Sequence, residues 1–173
     1  MAEQDSLGDS WDREAENWVR WARKPGHDSY WRFHRDAFFR LVPPPGRLTL
    51  DIGCGEGRRC GRPAVRERYR VAIVHPLNSA GAFAGREHDA GFLLQDYMTV
   101  RRYSERVERD GMSLTFHQIH RPLHHYTEAL SAAGFVIEAF HEVCVDDASV
   151  RMRGDRARWQ RVPLFVDLRA LKS

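Results

Sequence analysis

The sequence predicts an α/β fold, and three observations carry that expectation. Two amphipathic helical segments come before the first strand. A glycine-rich loop follows that strand, and a second short apolar strand ends at His75-Pro76. A well-bounded helix then leads into the strands that close the chain, with no internal repeat. At 173 residues the chain is long enough for one well-buried core and too short for a second full domain.

Residues 11–23, WDREAENWVRWAR, put Trp11, Ala15, Trp18 and Ala22 on one face of a helix, with Ser10 as its N-cap and Pro25-Gly26 as its stop. A second helix over 28–41 lines up Tyr30, Phe33, Ala37, Phe38 and Leu41 before Pro43-Pro44-Pro45-Gly46 ends it. The runs RLTLDI, 47–52, and YRVAIV, 69–74, read as buried parallel strands. Residues 78–96 read as a loop, with a helical turn around Phe92 to Tyr97. The pair Asp110-Gly111 between RRYSERVER and MSLTFHQIH is a hairpin signal. Pro122 to Ala133 reads as a helix with Leu123, Tyr126, Leu130 and Ala133 on one face and Gly134 at its stop. A strand over 135–143, a charged loop over 146–161 and a final alternating strand, Val162, Leu164, Val166, Leu168 and Ala170, complete the chain.

Hydrophobic residues make up 42% and charged residues 29%, ordinary for a soluble domain, and no apolar run is long enough to cross a membrane. The acidic start MAEQDSLGDSWDRE lacks the basic and apolar regions of a secretory signal, so the expected location is cytoplasmic, with no membrane partner. Net charge is +3, and among 27 basic residues only Lys24 and Lys172 are lysines. The arginines are spread among 24 acids without a nucleic-acid-binding motif, so no nucleic-acid partner is expected. Cys54, Cys60 and Cys144 lack metal-knuckle spacing and are odd in number, which reads as free thiols.

The pattern Asp51-x-Gly53-x-Gly55-x-Gly57 follows a strand, and such glycines let backbone approach a small anionic or nucleotide-like ligand closely. Arg58 stands where a dinucleotide fingerprint needs its third glycine, and no Gly-Lys-Ser/Thr makes a Walker loop. A tight turn without a ligand is the bland alternative.

LTLDIGCGEGR resembles motif I of the class I S-adenosylmethionine-dependent methyltransferases. The leader WDREAENWVRWARKPGHDSYWRFHRDAFF resembles the helical cap of that family's small-molecule branch, and VAIVHPLNSAG its fifth strand and following loop. The tail, from TFHQIHRPLHHYTEALSAAGFVIEAF to RWQRVPLFVDLRALK, resembles its last helix and closing antiparallel strands. The resemblance implies one methyltransferase-like domain with a cap at 1–45 and a Rossmann-like core at 46–173. It implies S-adenosylmethionine as cofactor, a small-molecule methyl acceptor, and Gly53, Gly55 and Gly57 at the cofactor with backbone of Cys54 and Glu56 nearby and Asp51 organising the loop. Tyr30, Trp18 and Trp21 would either cover the cofactor or pack as core.

The same resemblance calls for strands two to four between motif I and YRVAIV. At about 30 residues per βαβ step that segment should hold on the order of 70 residues, whereas the chain reaches Tyr69 a dozen residues after Gly57. Arg58 to Arg70 contains six arginines with Gly61 and Pro63, a poor helix with little apolar face. It reads as the seam of a deletion, giving a Rossmann-like sheet truncated by loss of strands two to four. The alternative is a compact fold in which YRVAIV is a true second strand, ending in His75 where an acid belongs. With the deletion would go the second-strand acid for the ribose hydroxyls, so weak or absent cofactor binding is expected, and a non-catalytic remnant acting as an interaction module or homodimer is the competing reading.

His75, just past the carboxyl end of a strand, is the candidate catalytic side chain, to orient substrate or act as a base, or else a loop histidine shaping the turn before Pro76. His117, His120, His124 and His125 straddle a strand end and a helix start instead of converging, so no metal site is expected.

Overall fold

The computed structural model describes residues 6–28, 35–41 and 68–172. The strand expected at 47–52 and the glycine loop after it lie outside the described residues.

Helix α1 runs over Leu7–Arg23, four residues longer at its start than expected. The cap is Ser6, not Ser10: the Ser6 hydroxyl accepts from Asp9 N–H at 3.1 Å while the Asp9 carboxylate accepts from Ser6 N–H at 3.0 Å. That reciprocal pair satisfies two orphan donors of the first turn and fixes the earlier start. Lys24 closes the helix and Gly26 takes a left-handed φ of 81°. Helix α2, Arg35–Leu41, is the described part of the second predicted helix, with Phe38 and Leu41 buried.

Strand β1 is Arg68–Val74. Helix α3, Pro76–Ala80, follows it, and then a small hairpin of β2, Gly81–Phe83, and β3, Phe92–Leu94. The expected helical turn at 92–97 is therefore a strand in part. Phe92 sits directly opposite Phe83, their rings 5.0 Å apart edge to face, and such cross-strand aromatic pairs favour the sheet. Gly81 is needed there, since a Cβ would fall 2.4 Å from the Phe92 ring.

Strands β4, Arg101–Arg109, and β5, Met112–His120, form the predicted hairpin. Asp110 and Gly111 both take positive φ, 50° and 74°, as a two-residue turn matched to strand twist requires. Helix α4, Leu123–Ala132, begins behind Pro122 and stops at Gly134, φ 73°. Strand β6, Phe135–Val143, lies where the sequence put it.

Residues 146–161 are not a loop. Asp146 caps helix α5, Asp147–Met152, by accepting from Ser149 N–H at 2.7 Å, and a 3₁₀ helix follows over Gly154–Gln160. Trp159 holds that segment down, its ring 4.9 Å from Phe83. The last strand, β7, is Phe165–Lys172. It starts later than Val162 because Pro163 cannot donate to a ladder. Leu164 instead ties strand ends together, donating to Val143 O and accepting from His75 N–H, each at 2.8 Å.

The main sheet has the order β1-β7-β6, with β7 antiparallel to both neighbours, so β1 and β6 run parallel to each other. The expectation of a buried parallel strand at 69–74 is thus corrected: the pairing described for β1 is antiparallel, and Tyr69 and Val74 are 37% and 38% exposed. Helix α4 covers one face of the sheet. Leu130 and Leu123 pack there with Val166, Leu168, Ala170, Val71, Ile73, Phe135 and Ile137. The predicted alternation in β7 holds for Val166, Leu168 and Ala170, yet Asp167 between them is fully buried too, since β7 is central and covered on both faces.

Candidate functional site

A cavity of about 550 Å³ opens where the β4–β5 hairpin, the turn after α1, the 3₁₀ helix and the ends of β1 and β7 meet. Val74 and Phe165, which line it, are register partners. The cavity therefore sits outside the carboxyl end of β1, and Val145, just past the carboxyl end of β6, is also in its wall.

Its outer wall is set by the hairpin, and α1 holds the hairpin. Trp11, Trp18 and Trp21 surround Phe116 of β5 with ring centroids 6.2 to 6.4 Å away, and Trp11 Nε1 donates to His117 O at 2.8 Å. The three tryptophans thus act in packing. At the hairpin tip His27 Nε2 donates to the Asp110 carboxylate at 2.9 Å, and Lys24 donates to Asp110 O. Those partners, His27 first, hold the Asp110 carboxyl below its ordinary pKa. The Arg109 guanidinium donates to Gly26 O and His27 O and lies 5.6 Å from the Trp21 ring centroid. Deeper in, Tyr103 donates to Gln118 Oε1 at 3.0 Å, and burial pushes its phenol pKa up.

The cavity is strongly cationic on the side of the 3₁₀ helix. Arg153, Arg156 and Arg158 line it with Arg109, against Glu105 and Asp155 as the acids. Arg153 pairs with Asp155 at 2.8 Å. Arg158 donates to Arg86 O and Asp155 O and lies over the Phe83 ring. Arg156, partly buried, has no hydrogen-bond or ion-pair acceptor among the described residues. Burial and then repulsion from Arg153 lower its pKa. Sequence reasoning missed these arginines by reading 146–161, which includes RMRGDRARWQ, as a charged loop. The available signal was Trp159 beside them, an aromatic anchor that a free loop does not need.

His75 is 2% exposed and caps α3. Its Nδ1 accepts from Leu77 N–H at 3.0 Å and its Nε2 donates to Glu142 Oε1 at 2.9 Å, so both ring nitrogens are engaged by the protein. Burial lowers its pKa, against the raising effect of Glu142. It stands next to the cavity wall, holding the helix that carries Asn78 and Ser79 into it. Tyr30, Asp51, Gly53, Cys54, Gly55, Glu56 and Gly57 lie outside the described residues. The histidine cluster is dispersed: His120 is buried between Ser79 Oγ and Tyr97 O, whereas His117 bonds Ser104 at the surface. No group of three or more side chains fit to hold a metal occurs among the described residues. Cys144 is a free thiol whose pKa burial raises, and no helix among the described residues is long and apolar enough to cross a membrane.

No protein-family model matches the chain, and no curated protein matches it. Among solved structures it is similar to an S-adenosylmethionine-dependent methyltransferase from Mesorhizobium loti, with 20% identity over 62% of this chain and 49% of that one and a TM-score of 0.44. It is also similar to a candidate S-adenosylmethionine-dependent methyltransferase from Listeria monocytogenes, with 15% identity over 64% of this chain and 50% of that one and a TM-score of 0.45. The chain spans about half the length of either structure.

Proposed function

We propose that this chain is a small-molecule S-adenosylmethionine-dependent methyltransferase that keeps its acceptor side while its donor side is incomplete. The observation that carries this reading is the position of the cavity. It lies outside the carboxyl ends of two mutually parallel strands, β1 and β6, where open α/β sheets bind their ligands. In support, α4, β6 and β7 follow one another as the last helix and closing antiparallel strands that the sequence resemblance implies.

S-adenosylmethionine would supply a methyl group on a sulfonium whose sulfur departs as a neutral thioether, which leaves the protein mainly to align the acceptor and exclude water. The described residues are suited to the second task and part of the first. Phe116, Trp159 and Phe165 give the cavity apolar surface, and Tyr103, Gln118 and Ser79 give it polar contacts. His75, through Leu77 and Glu142, acts in this reading as a positioning residue for α3. For the donor the fit is partial: Asp51 to Gly57 are present in the sequence, but the second-strand carboxylate expected for the ribose hydroxyls has no counterpart among the described residues.

Saturation-transfer NMR with S-adenosylmethionine tests the reading. Millimolar binding that disappears in Gly55→Val is expected. Absence of contact at millimolar cofactor contradicts the methyltransferase reading, and micromolar affinity contradicts the incomplete donor side. A second reading, self-association through β6, is favoured by the exposure of Val136, 59%, and Phe140, 37%, on a strand paired only to β7 among the described residues. A bulge between Ile137 and Ala139 works against it by twisting that edge. Sedimentation equilibrium separates the two: a monomer ends the second reading.

A further inference from the structure

Resting on the reading of this cavity as the acceptor site, we propose that it takes a small organic acid, whose anionic group is bound by Arg156 with Arg109 beside it and whose apolar or aromatic body lies against Phe116, Trp159 and Phe165. Carboxylate and phosphate share the chemistry that this wall recognises.

Four arginines line the cavity with two acids. Three of the four are already engaged. Arg109 is held by two carbonyls, Arg153 by the Asp155 carboxylate and Arg158 by two further carbonyls. Arg156 alone keeps all its side-chain donors open, since none has an acceptor among the described residues. A guanidinium presents its donors in a planar fork matched to a carboxylate or phosphate.

The cationic wall is also costly as it stands. Arg156 is partly buried and repelled by Arg153 and Arg109, and Asp155, the acid that offsets this, is already paired to Arg153. Desolvated like charges weaken one another unless an anion is placed between them. The cavity volume of about 550 Å³ falls within the ordinary range for small-molecule pockets. A neutral or cationic ligand would leave the Arg156 fork unmatched.

The test uses the full chain at low salt, with benzoate, phenyl phosphate and the neutral isostere benzamide as probes, titrated by NMR. Saturable binding of benzoate or phenyl phosphate is expected, with benzamide at least tenfold weaker. Whichever acid binds more tightly identifies the anionic group. Arg156→Met should weaken acid binding on the order of tenfold, with Arg156→Lys, which keeps charge but loses the fork, in between. Arg151→Met removes an exposed arginine of α5 that does not line the cavity and should change nothing. Equal affinities for benzoate and benzamide overturn the proposal, as does equal loss in the Arg156 and Arg151 variants, which would make the effect one of net charge. Titrating S-adenosylmethionine into the same samples keeps the two readings apart: acid binding without donor binding leaves the acid site standing and removes the methyl-transfer reading.

Discussion

The sheet face under α4 and the cavity between the ends of that sheet, the β4–β5 hairpin and the 3₁₀ helix are built on opposite terms. Under α4, Leu130 meets Val166, Leu168 and Ala170, all three fully buried, and the contact is apolar throughout. Around the cavity, arginines and hydrogen-bonded side chains outnumber the aliphatic ones, and one guanidinium is left without an acceptor among the described residues. The first holds the fold together, and the second holds a charge arrangement that only a ligand completes.

Four perturbations separate the two regions, taken in decreasing order of effect. Leu168→Ala, at the centre of β7, should cost about 2–5 kcal/mol in denaturant unfolding, because a fully buried Leu leaves a cavity that neighbouring strands cannot fill. Gly111→Ala should cost roughly 1–2 kcal/mol, read in the same way. Nothing lies within 4 Å of the added Cβ, so the cost is that of holding an L-residue at φ 74°.

The third is a pH effect at His75. Burial keeps its folded pKa below the ordinary 6.5, so on acidification the unfolded chain takes up that proton first. Stability from this site is complete above pH 6.5 and declines as the pH falls from there toward the folded pKa. Melting temperatures measured on either side of pH 6.5 should show the decline, and His75→Gln should flatten it. Smallest of all, Arg156→Met should shift stability by no more than about 0.5 kcal/mol, because it removes no side-chain hydrogen bond or ion pair within the described residues and relieves repulsion from Arg153 and Arg109. A large loss of stability there would place Arg156 in the fold and not in the binding wall.

Much of the sheet region was legible in the sequence, and little of the cavity. Asp110-Gly111 announced its hairpin because positive φ at two successive positions is a demand few residue pairs meet. Pro122 and Gly134 bracketed α4 through equally local chemistry. Val166, Leu168 and Ala170 showed the core face by period alone. The cavity depends instead on contacts between distant segments, such as His27 with Asp110 and Phe83 with Trp159, which no local pattern encodes. The start of α1 was misplaced at Ser10, because the box that Ser6 forms with Asp9 has an Asp where a capping box more often has Glu. His75 was identified by position but not by partners: Glu142, 67 residues away, gives it a bond that spacing could not reveal. The glycine loop, the plainest motif in the sequence, lies outside the described residues, and its role stays with the proposal.

The central claim is that the acceptor side is retained while the donor side is incomplete. Calorimetric titration of one preparation of the full chain with benzoate and with S-adenosylmethionine tests it most directly. Benzoate should show the tighter dissociation constant, with S-adenosylmethionine binding in the millimolar range. Micromolar S-adenosylmethionine binding beside undetectable benzoate would contradict it.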